Sequence, residues 1–302
     1  MKFIEITKKT SIDFIGLRNK AFVLSLALVL FGFFAFIMIA LGKANESVDF
    51  TGGTQLQVKF EDQIAIGDLR SVLTGGGIGD VQIQQASGTK EFFIKTKLAD
   101  AEKEKIQDKL SGILSKDFQG KKFQILGSNM VGSTVGKALK KNAIIAVVIS
   151  MICIIVYIAW RFTFIFGIAA TIATFHDVLA LLGIFYLLNM EINILFITAL
   201  LTIAGYSLTD TVVVFDRIRE NIPKMKSKTD FGNTINRSIN EVLSRTLITS
   251  ITTLLAIGSI LFLGGQVLFE FSLALFIGVL IGTYSSIFVA SPIVYVWRKK
   301  VR

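Results

Sequence analysis

The sequence contains a single cysteine and a single histidine, and this scarcity excludes several kinds of site. Cys153 lies in an apolar run, so the chain can form neither an intrachain disulfide nor a cysteine metal cluster. Because His176 is the only histidine, multi-histidine metal sites and histidine-based triads are excluded unless a partner supplies the other groups. No nucleophile–base or metal-ligand constellation stands out elsewhere. We therefore expect no enzymatic activity and no bound metal.

Charged residues are also scarce, at 18%, against the roughly 25% that is typical of soluble domains. Hydrophobic residues make up 52% of the chain, and insertion into a membrane is the direct explanation. In a soluble protein a net charge of +10 would indicate nucleic-acid binding. Here the basic residues lie in short loops and tails between apolar runs, where the positive-inside rule places them. We expect contact with a lipid bilayer and none with nucleic acid.

Six apolar runs approach or exceed the roughly 20 residues that a helix needs to cross a bilayer. They are Ala21–Leu41, Asn142–Trp160, Thr163–Leu188, Ile192–Phe215, Thr246–Leu263 and Phe271–Trp297. Lysine and arginine concentrate in the tail 1–20, in the loop 216–245 and at the C-terminus, which predicts that both termini are cytoplasmic. The sequence thus predicts a first membrane helix over 21–41 and a five-helix membrane region over 140–302.

Residues 42–139, between the first two runs, have the pattern of a folded extracytoplasmic α+β domain. Apolar and polar residues alternate as in half-buried strands, and two segments have helical periodicity. The predicted order is strand Thr54–Phe60, helix Ile66–Leu73, strands Asp80–Gln84 and Glu91–Lys97, helix Ala101–Phe118 and strand Lys122–Leu126. This β-α-β-β-α-β order is typical of a ferredoxin-like domain.

Three charged residues, Asp177, Asp210 and Arg245, fall within the membrane helices at positions that indicate function. A charge near mid-bilayer costs at least ~2.5–3.5 kcal/mol, so it normally faces the interior of a bundle. Asp210 lies inside the fourth run and Arg245 opens the fifth, so the two can pair at matched depth. Ser207, Asp210 and Arg217 share one helical face by their spacing. The facing polar stripe on the fifth run comprises Arg245, Thr249, Thr252 and Ala256.

Each of these charges has two interpretations. Asp210 either carries a proton or forms a structural bridge with Arg245, with the neighbouring hydroxyl groups bonded to carbonyls one turn back. Arg245 can alternatively extend to the membrane interface. Asp177, in the middle of the third run beside His176, either carries protons or holds neighbouring helices together as a neutral group.

The sixth run carries a ridge of small residues at every fourth position. Its members are Ala274, Gly278, Gly282, Ser286 and Ala290. Such ridges allow membrane helices to approach closely. We interpret this one as a helix–helix interface, either internal or with a partner subunit, in preference to a pore or a sliding surface.

Three motifs resemble those of the SecD/SecF family of protein-export membrane subunits, within the resistance-nodulation-division superfamily. VDFTGGT at 48–54 is similar to the D-F-x-G-G motif of the family through Asp49, Phe50, Gly52 and Gly53. GYSLTDTVVVFDRIREN at 205–221 is similar to the fourth-span motif and includes Gly205, Tyr206, Ser207, Asp210, Asp216 and Arg217. RTLITS at 245–250 is similar to the start of the fifth span. The resemblance extends over nearly the whole chain.

The resemblance implies a function and a set of partners. SecF-type subunits pair with SecD into a twelve-span unit of the bacterial inner membrane that promotes late-stage export of preproteins through the SecYEG translocon. YajC and YidC are further expected partners, and protons rather than a cofactor would drive the process. Asp210 and Arg245 match the proton-carrying aspartate and its arginine partner. The pair Gly52–Gly53 forms either a hinge or a simple strand-entry turn, and the ridge on the sixth run is the first candidate for the SecD contact.

Two other functions remain open on the sequence. The chain could be half of a proton-coupled efflux transporter from the same superfamily, although the 42–139 domain is small for a drug-pump porter domain. It could also be a non-transporting assembly scaffold in which Asp210 and Arg245 are purely structural. Proton flux with and without Asp210 separates the scaffold from the transporters.

Overall fold

The computed structural model describes residues 10–78, 81–85, 89–96, 103–117, 122–225 and 231–300. The chain divides into two compact units. The first, the membrane unit, comprises Met1–Asn45 and Ala146–Arg302, and the second, the α+β unit, comprises Glu46–Ile145. The sequence also predicts a turn at Ser87–Gly88, between the second and third strands, and these two residues lie outside the described part of the chain.

Within the described ranges the elements follow one another closely. In chain order they are α1 (Arg18–Ala40), α2 (Val48–Thr51), β1 (Gly53–Phe60), α3 (Ile66–Gly75), β2 (Val81–Gln85), β3 (Glu91–Thr96), α4 (Lys103–Asp117), β4 (Phe123–Val131), α5 (Ser133–Arg161), α6 (Phe164–Leu187), α7 (Ile194–Asn221), a 3₁₀ turn (Ile222–Lys224), α8 (Phe231–Leu263), α9 (Gly265–Ser285), a π-helical turn (Ser286–Ala290) and α10 (Ser291–Lys300).

Six helices are long and apolar enough to cross a membrane, in agreement with the six predicted spans. The sixth consists of α9, the π-helical turn and α10 in continuous succession. Half or more of the most apolar stretch is buried in the third, fourth and sixth helices, against fewer than a fifth in the first, second and fifth. The helices α6, α7 and α9 therefore form the centre of the membrane unit, and α8 lies at its edge.

The predicted basic loop 216–245 is wrong over most of its length. α7 continues to Asn221, and α8 already includes Phe231, 15 residues before Thr246, where the apolar run predicted its start. The reason is an amphipathic extension, because Phe231, Ile235 and Ile239 recur at every fourth position and are buried against the other helices. Charged residues between them had the composition of a loop but occupy the outer face of a helix.

The α+β unit confirms the predicted ferredoxin-like order. Its four strands pair only in antiparallel fashion, in the order β2-β3-β1-β4. A bulge interrupts the β1–β4 register between Gln57 and Val58, and β4 extends to Val131, five residues past its predicted end. Leu69 and Leu73 of α3 and Leu110 of α4 pack with the inward-facing strand residues into one buried core. The periodicity of α4 predicts an apolar face of Ile106, Leu110, Ile113 and Leu114, of which the Ile106 side chain lies outside the described residues.

The segment before α1 is held on α8 by two asparagines. Asn240 accepts a hydrogen bond from the amide of Ile12 (3.1 Å) and donates one to its carbonyl (2.9 Å). Asn236 accepts from the amide of Ile15 (2.9 Å) and donates to Asp13 (2.6 Å). The amide of Gly16 also donates to Asp13, and these two bonds hold the pKa of that carboxyl below its usual value.

Candidate functional site

Asp210 and Arg245 line the same cavity, of about 320 Å³, between α7 and α8. The Asp210 side chain is buried, and its Oδ2 has no hydrogen-bond partner among the described residues. Arg245 is exposed at the edge of the unit. Its field acts on the Asp210 carboxyl, but within the described part of the chain no salt bridge shorter than 4.0 Å joins the two. The sequence thus identified the two groups that share a cavity, while the ion pair itself is not formed.

The remaining polar side chains of this cavity are mostly satisfied by their own helices. Thr209 donates to the carbonyl of Gly205 (3.2 Å), and Thr249 donates to that of Arg245 (3.1 Å). Thr253 donates to the Thr249 carbonyl at 2.8 Å. Such bonds to the preceding turn leave little capacity for other partners. Asp210 and Arg245 are therefore the two charged cavity groups available for a change of partner, and the hydroxyl of Thr246 is a further group without a partner among the described residues.

Asp177 is completely buried at the centre of the membrane unit. Its Oδ1 accepts a hydrogen bond from Nδ1 of His176 at 2.8 Å. Its Oδ2 accepts hydroxyl hydrogen bonds from Ser285, at 2.7 Å, and from Ser207. These donors belong to α6, α9 and α7, so one carboxyl group joins three helices. We refer to these four residues as the Asp177 cluster.

A second hydroxyl pair extends this contact by one turn of α7. Thr211 Oγ1 lies 3.0 Å from Ser286 Oγ, and it also donates to the carbonyl of Ser207 at 3.2 Å. Ser286 opens the π-helical turn, in which Ser291 donates to the Ser286 carbonyl five residues earlier (3.0 Å). The widened turn therefore begins directly beside the Asp177 cluster.

The prediction that Ser207 and Arg217 share the face of Asp210 is wrong. Ser207 points to Asp177 and α9, whereas Asp210 points to the cavity beside α8. Residues three apart on a helix differ by roughly 60° in direction, and in a bundle this angle is enough to contact different neighbours. Arg217 binds Glu241 of α8 and Glu220, at 2.7 Å each, beyond the cavity.

Asp216 likewise belongs to a separate contact at the end of α7. It forms a salt bridge with Arg161 at 2.6 Å and a longer one with Arg219 at 3.6 Å. Both guanidinium groups also lie over the ring of Phe162, at 5.1 and 5.8 Å. This contact joins α7 to the turn between α5 and α6, and it holds the helix end without reaching Asp210.

The small-residue ridge of the sixth helix is an internal interface. Ala274, Ser286 and Ala290 are fully buried. A Cβ added at Gly278 would overlap Ile203 of α7, and one at Gly282 would lie 2.9 Å from the Cβ of Ser207. Because α7 already covers the ridge, the expectation that it contacts a SecD-type partner is wrong.

The motif at 48–54 forms the entry to the α+β unit. Ser47 caps α2 by accepting a hydrogen bond from the Asp49 amide (3.1 Å), and Phe50 is buried. Gly52 and Gly53 both have positive φ, +73° and +142°, which favours glycine at both positions. A Cβ at Gly52 would also lie 2.6 Å from Cα of Ser133. The geometry is that of a tightly packed strand-entry turn, the second of the two interpretations.

Sequence reasoning missed two members of the central network, Ser285 and Thr211. Two adjacent serines, Ser285 and Ser286, stand within an apolar helix, and this pair was the available signal. Neighbouring serines direct their hydroxyl groups to different faces, so one could be expected to meet the carboxyl group of another helix. Ser286 was assigned to the small-residue ridge by its size, although its hydroxyl group also lies within hydrogen-bond distance of Thr211.

Comparison with known families places the chain. Residues 112–300 match the family described as protein export membrane protein SecD/SecF, C-terminal, which is more than half of the chain. The chain belongs to the SecD/SecF family. Residues 44–64 separately match the SecD/SecF GG motif, the segment that contains Gly52 and Gly53. Family membership together with the six apolar helices makes this a multi-pass membrane protein.

Individual relatives support the same assignment. The protein translocase subunit SecF of Thermodesulfovibrio yellowstonii is 48% identical over 297 residues, which cover 98% of each chain. The protein translocase subunit SecDF of Thermus thermophilus is 40% identical over 85% of this chain but only 35% of its own length. These relatives are named as translocase subunits, which is a transport role.

Two solved structures share the fold. A crystal structure of SecDF from Thermus thermophilus, described as a translocon-associated membrane protein, has a TM-score of 0.83 at 36% identity. It covers 99% of this chain, whereas the match covers 40% of that chain. A structure of SecDF in a super-membrane-facing form has a TM-score of 0.69 at 37% identity. This chain therefore spans two fifths of the length of either structure.

Proposed function

We propose that this chain is the SecF-type subunit of a protein translocation complex in the bacterial inner membrane. It pairs with a SecD-type subunit and uses the proton-motive force to promote late-stage export of preproteins through SecYEG. Both termini are cytoplasmic, and the α+β unit is on the periplasmic side. YajC and YidC are additional partners in this proposal, and protons are the coupling ion.

The pairing with SecD is supported by the relatives that carry a joint name. The SecDF proteins are matched over only 35–40% of their length, so most of each lies outside the match. The Thermodesulfovibrio yellowstonii SecF, which this chain matches over 98% of its length, is named as a subunit by itself, so the remaining part of a SecDF protein corresponds to a second subunit in this proposal. The outer face of α8 supports the same proposal, because Arg245, Thr249 and Thr252 are exposed there on a membrane helix. Exposed polar groups at membrane depth normally face protein or water rather than lipid.

The observation that carries the proposed proton coupling is the state of Asp210. Its Oδ2 is buried without a hydrogen-bond partner among the described residues, in a cavity that also contains Arg245. Leaving a buried carboxylate oxygen without a partner costs free energy that a bound proton or a cationic partner recovers. A site of this kind has two alternative occupants, the proton and the guanidinium group.

The proposed cycle alternates between these occupants. When Asp210 is ionised, Arg245 moves onto the carboxylate and the cavity between α7 and α8 narrows. When a proton binds the carboxyl group, the attraction disappears and Arg245 withdraws to the exposed edge. Because Arg217 and Asn221 both bind Glu241 of α8, the two helices are joined at one end. The movement is therefore a change of angle about that end.

Export into inverted membrane vesicles tests the proposal. The variant Asp210→Asn keeps the side-chain volume but cannot exchange a proton, and Asp68→Asn is a matched control on the exposed first turn of α3. We expect the proton gradient to accelerate late-stage export with the wild-type chain and the control, and to have no effect with Asp210→Asn. Normal gradient dependence in Asp210→Asn would refute proton coupling at this residue.

A further inference from the structure

The Asp177 cluster is a polar network that the proposed cycle does not use. Asp177 is completely buried, yet both carboxyl oxygens have hydrogen-bond donors on three helices. A carboxylate with these donors is well satisfied as an anion, but a buried negative charge inside a membrane remains costly. Whether Asp177 can also bind a proton therefore depends on whether the same hydrogen-bond network satisfies the neutral carboxylic acid.

The hydroxyl group of Ser285 has two acceptors within reach. It lies 2.7 Å from Oδ2 of Asp177 and 3.1 Å from the carbonyl oxygen of Gly282 in its own helix. A hydroxyl group has one proton and can rotate to suit its surroundings. When Asp177 is ionised, Ser285 donates to it. When Oδ2 carries a proton, Asp177 donates to Ser285 Oγ, and the Ser285 proton turns to the Gly282 carbonyl.

Both protonation states are thus fully hydrogen-bonded at the carboxyl group. In the neutral state Ser207 still donates to Oδ2, and Nδ1 of His176 still donates to Oδ1. No donor or acceptor of the carboxyl group is lost, so the penalty for an unsatisfied buried group does not oppose the change in either direction. The carbonyl of Gly282 supplies the second acceptor that this change of state requires.

The surroundings of the His176 ring decide whether an added proton binds His176 or Asp177. Its Nδ1 must carry hydrogen to donate to an ionised carboxylate, and its Nε2 is buried without a partner in the described part of the chain. An extra proton on Nε2 would bury an unpaired, charged N–H group, which is more costly than an unpaired lone pair. The added proton therefore resides on Asp177, and the pair becomes neutral as a whole.

The surrounding groups do not supply a competing charge. Among the described residues, His176 is the charged or titratable group whose field acts on Asp177. Tyr284 of α9 has its ring centroid 6.2 Å from that of His176, but its hydroxyl is bonded to Ser25 and to the carbonyl of Ala21 in α1. Asp210 of α7 lines the separate cavity beside α8.

The charges at the ends of the neighbouring helices are engaged elsewhere or exposed. The guanidinium group of Arg18 lies over the ring of Tyr295, and that of Arg298 lies over Phe231. Lys20 is exposed. The protonation of Asp177 is therefore governed by its own hydrogen-bond network.

From this geometry we propose that Asp177 is a second proton-binding site of the membrane unit, distinct from the Asp210 cavity, and that α9 responds to its proton through Ser285. Ser285 is the last residue of α9 before the π-helical turn, a helix irregularity often found at functional sites. Turning its hydroxyl group from Asp177 to Gly282 reverses the direction of the hydrogen bond that joins the sixth helix to α6 and engages the Gly282 carbonyl at the end of α9. The use of this proton for export rests on the proposed function, whereas its binding does not.

Infrared difference spectroscopy tests proton binding directly. The full-length chain, with isotope-labelled aspartate, is reconstituted in liposomes and titrated while the C=O stretching band of protonated carboxyl groups is recorded. We expect a labelled band that titrates in the wild type and remains in Asp210→Asn, and that is lost when Asp177→Asn is added to Asp210→Asn. Absence of a titrating band in Asp210→Asn, or an unchanged band in the double variant, would overturn the proposal.

A serine pair tests the role of Ser285 even if Asp177→Asn fails to fold. Ser285→Ala removes the hydroxyl group that receives the proton's hydrogen bond, whereas Ser286→Ala removes the adjacent buried hydroxyl, which has no bond to Asp177. We expect Ser285→Ala to shift both the frequency and the titration midpoint of the Asp177 band, and Ser285→Thr to restore them. An unchanged band in Ser285→Ala, or an equal shift in Ser286→Ala, would contradict the response through Ser285.

These outcomes are independent of the export assay. If proton-driven export does not depend on Asp210, the proposed function fails, while a titrating Asp177 band still supports the second site. If the band is absent while export depends on Asp210, only the second site is lost.

Discussion

The two faces of α7 differ in how completely this chain supplies hydrogen-bond partners for the aspartate beside each face. On the inner face, Ser207 bonds to a side chain of α6 and Thr211 to a side chain of the π-helical turn. On the outer face, Asp210 has an oxygen without a partner in the described residues and faces a cavity at the edge of the unit. One face of α7 thus has its hydrogen-bond partners within the chain, whereas the other requires a proton, a moving arginine or another subunit.

This difference indicates which face of α7 contributes to stability and which contributes to activity. The inner face makes the close contacts with the small-residue ridge of the sixth helix, and these contacts hold α7 against α9. The outer face contains small and hydroxyl residues that are exposed, including Gly205 and Thr209. We therefore expect changes on the inner face to alter folding and changes on the outer face to alter assembly and coupling.

The largest expected effect comes from adding bulk to the two faces. Gly282→Leu would force the added Cβ to within 2.9 Å of the Ser207 Cβ, and overpacking of this kind costs about 3 kcal/mol at the upper end of its usual range. A Cβ at Gly205 has no neighbour within 4 Å. Unfolding of the purified chain in detergent, followed by circular dichroism, should show strong destabilisation only for Gly282→Leu.

For assembly with a partner subunit, we expect the larger effect from Gly205→Leu. Gly205→Leu places bulk on the outer face, so it should reduce co-purification of a SecD-type partner while leaving the single chain folded. Equal effects of both variants on unfolding would remove the distinction between the faces.

A smaller effect is expected from truncating the two aspartates. Asp177→Ala removes two interhelical hydrogen bonds, from Ser207 and Ser285, and at roughly 0.6 kcal/mol for each bond in a membrane the loss is about 1 kcal/mol. Asp210→Ala removes a group whose Oδ2 has no partner in the described chain, so its effect on unfolding should be clearly smaller. A greater destabilisation by Asp210→Ala would show that the outer aspartate is structural, as the alternative interpretation holds.

Two threonines sharpen the comparison at the level of a single hydroxyl group. Thr211→Val removes a contact between α7 and the π-helical turn and should cost about 0.6 kcal/mol. Thr209→Val removes only a bond to its own helix, so its unfolding free energy should be nearly unchanged. Identical unfolding curves for the two variants would mean that the Thr211–Ser286 contact adds nothing to stability.

Some of these features could be predicted from the sequence, and others depend on angles that spacing does not resolve. Apolar runs and strand alternation are repeated over many residues, so the six spans and the ferredoxin-like order emerged correctly. The separation of Ser207 from Asp210 rests on a rotation of roughly 60°, which matters only once the neighbouring helices are known. Similarly, the charges at 231–245 indicated a loop until the burial of Phe231 and Ile235 showed the amphipathic helix.

The smallest expected effect concerns the segment before α1, far from either face of α7. The pKa of Asp13 is lowered by the Gly16 amide and by Asn236, so its stabilising contribution is complete above the unfolded pKa. That contribution is lost as the pH falls through the lowered folded value. Amide exchange at Gly16 should therefore be protected at neutral pH and lose part of its protection in acid, and Asp13→Ala should lack this pH dependence. Retained dependence in Asp13→Ala would assign it to another group.

Proton flux is the measurement that tests the central claim most directly, namely that the carboxyl group of Asp210 carries the coupling proton. Liposomes that contain the chain with its SecD-type partner and a pH-sensitive dye are exposed to an imposed proton gradient. The account predicts proton entry with the wild-type chain and with Asp68→Asn, and entry no faster than in protein-free liposomes with Asp210→Asn. Proton entry at the wild-type rate in Asp210→Asn would contradict it.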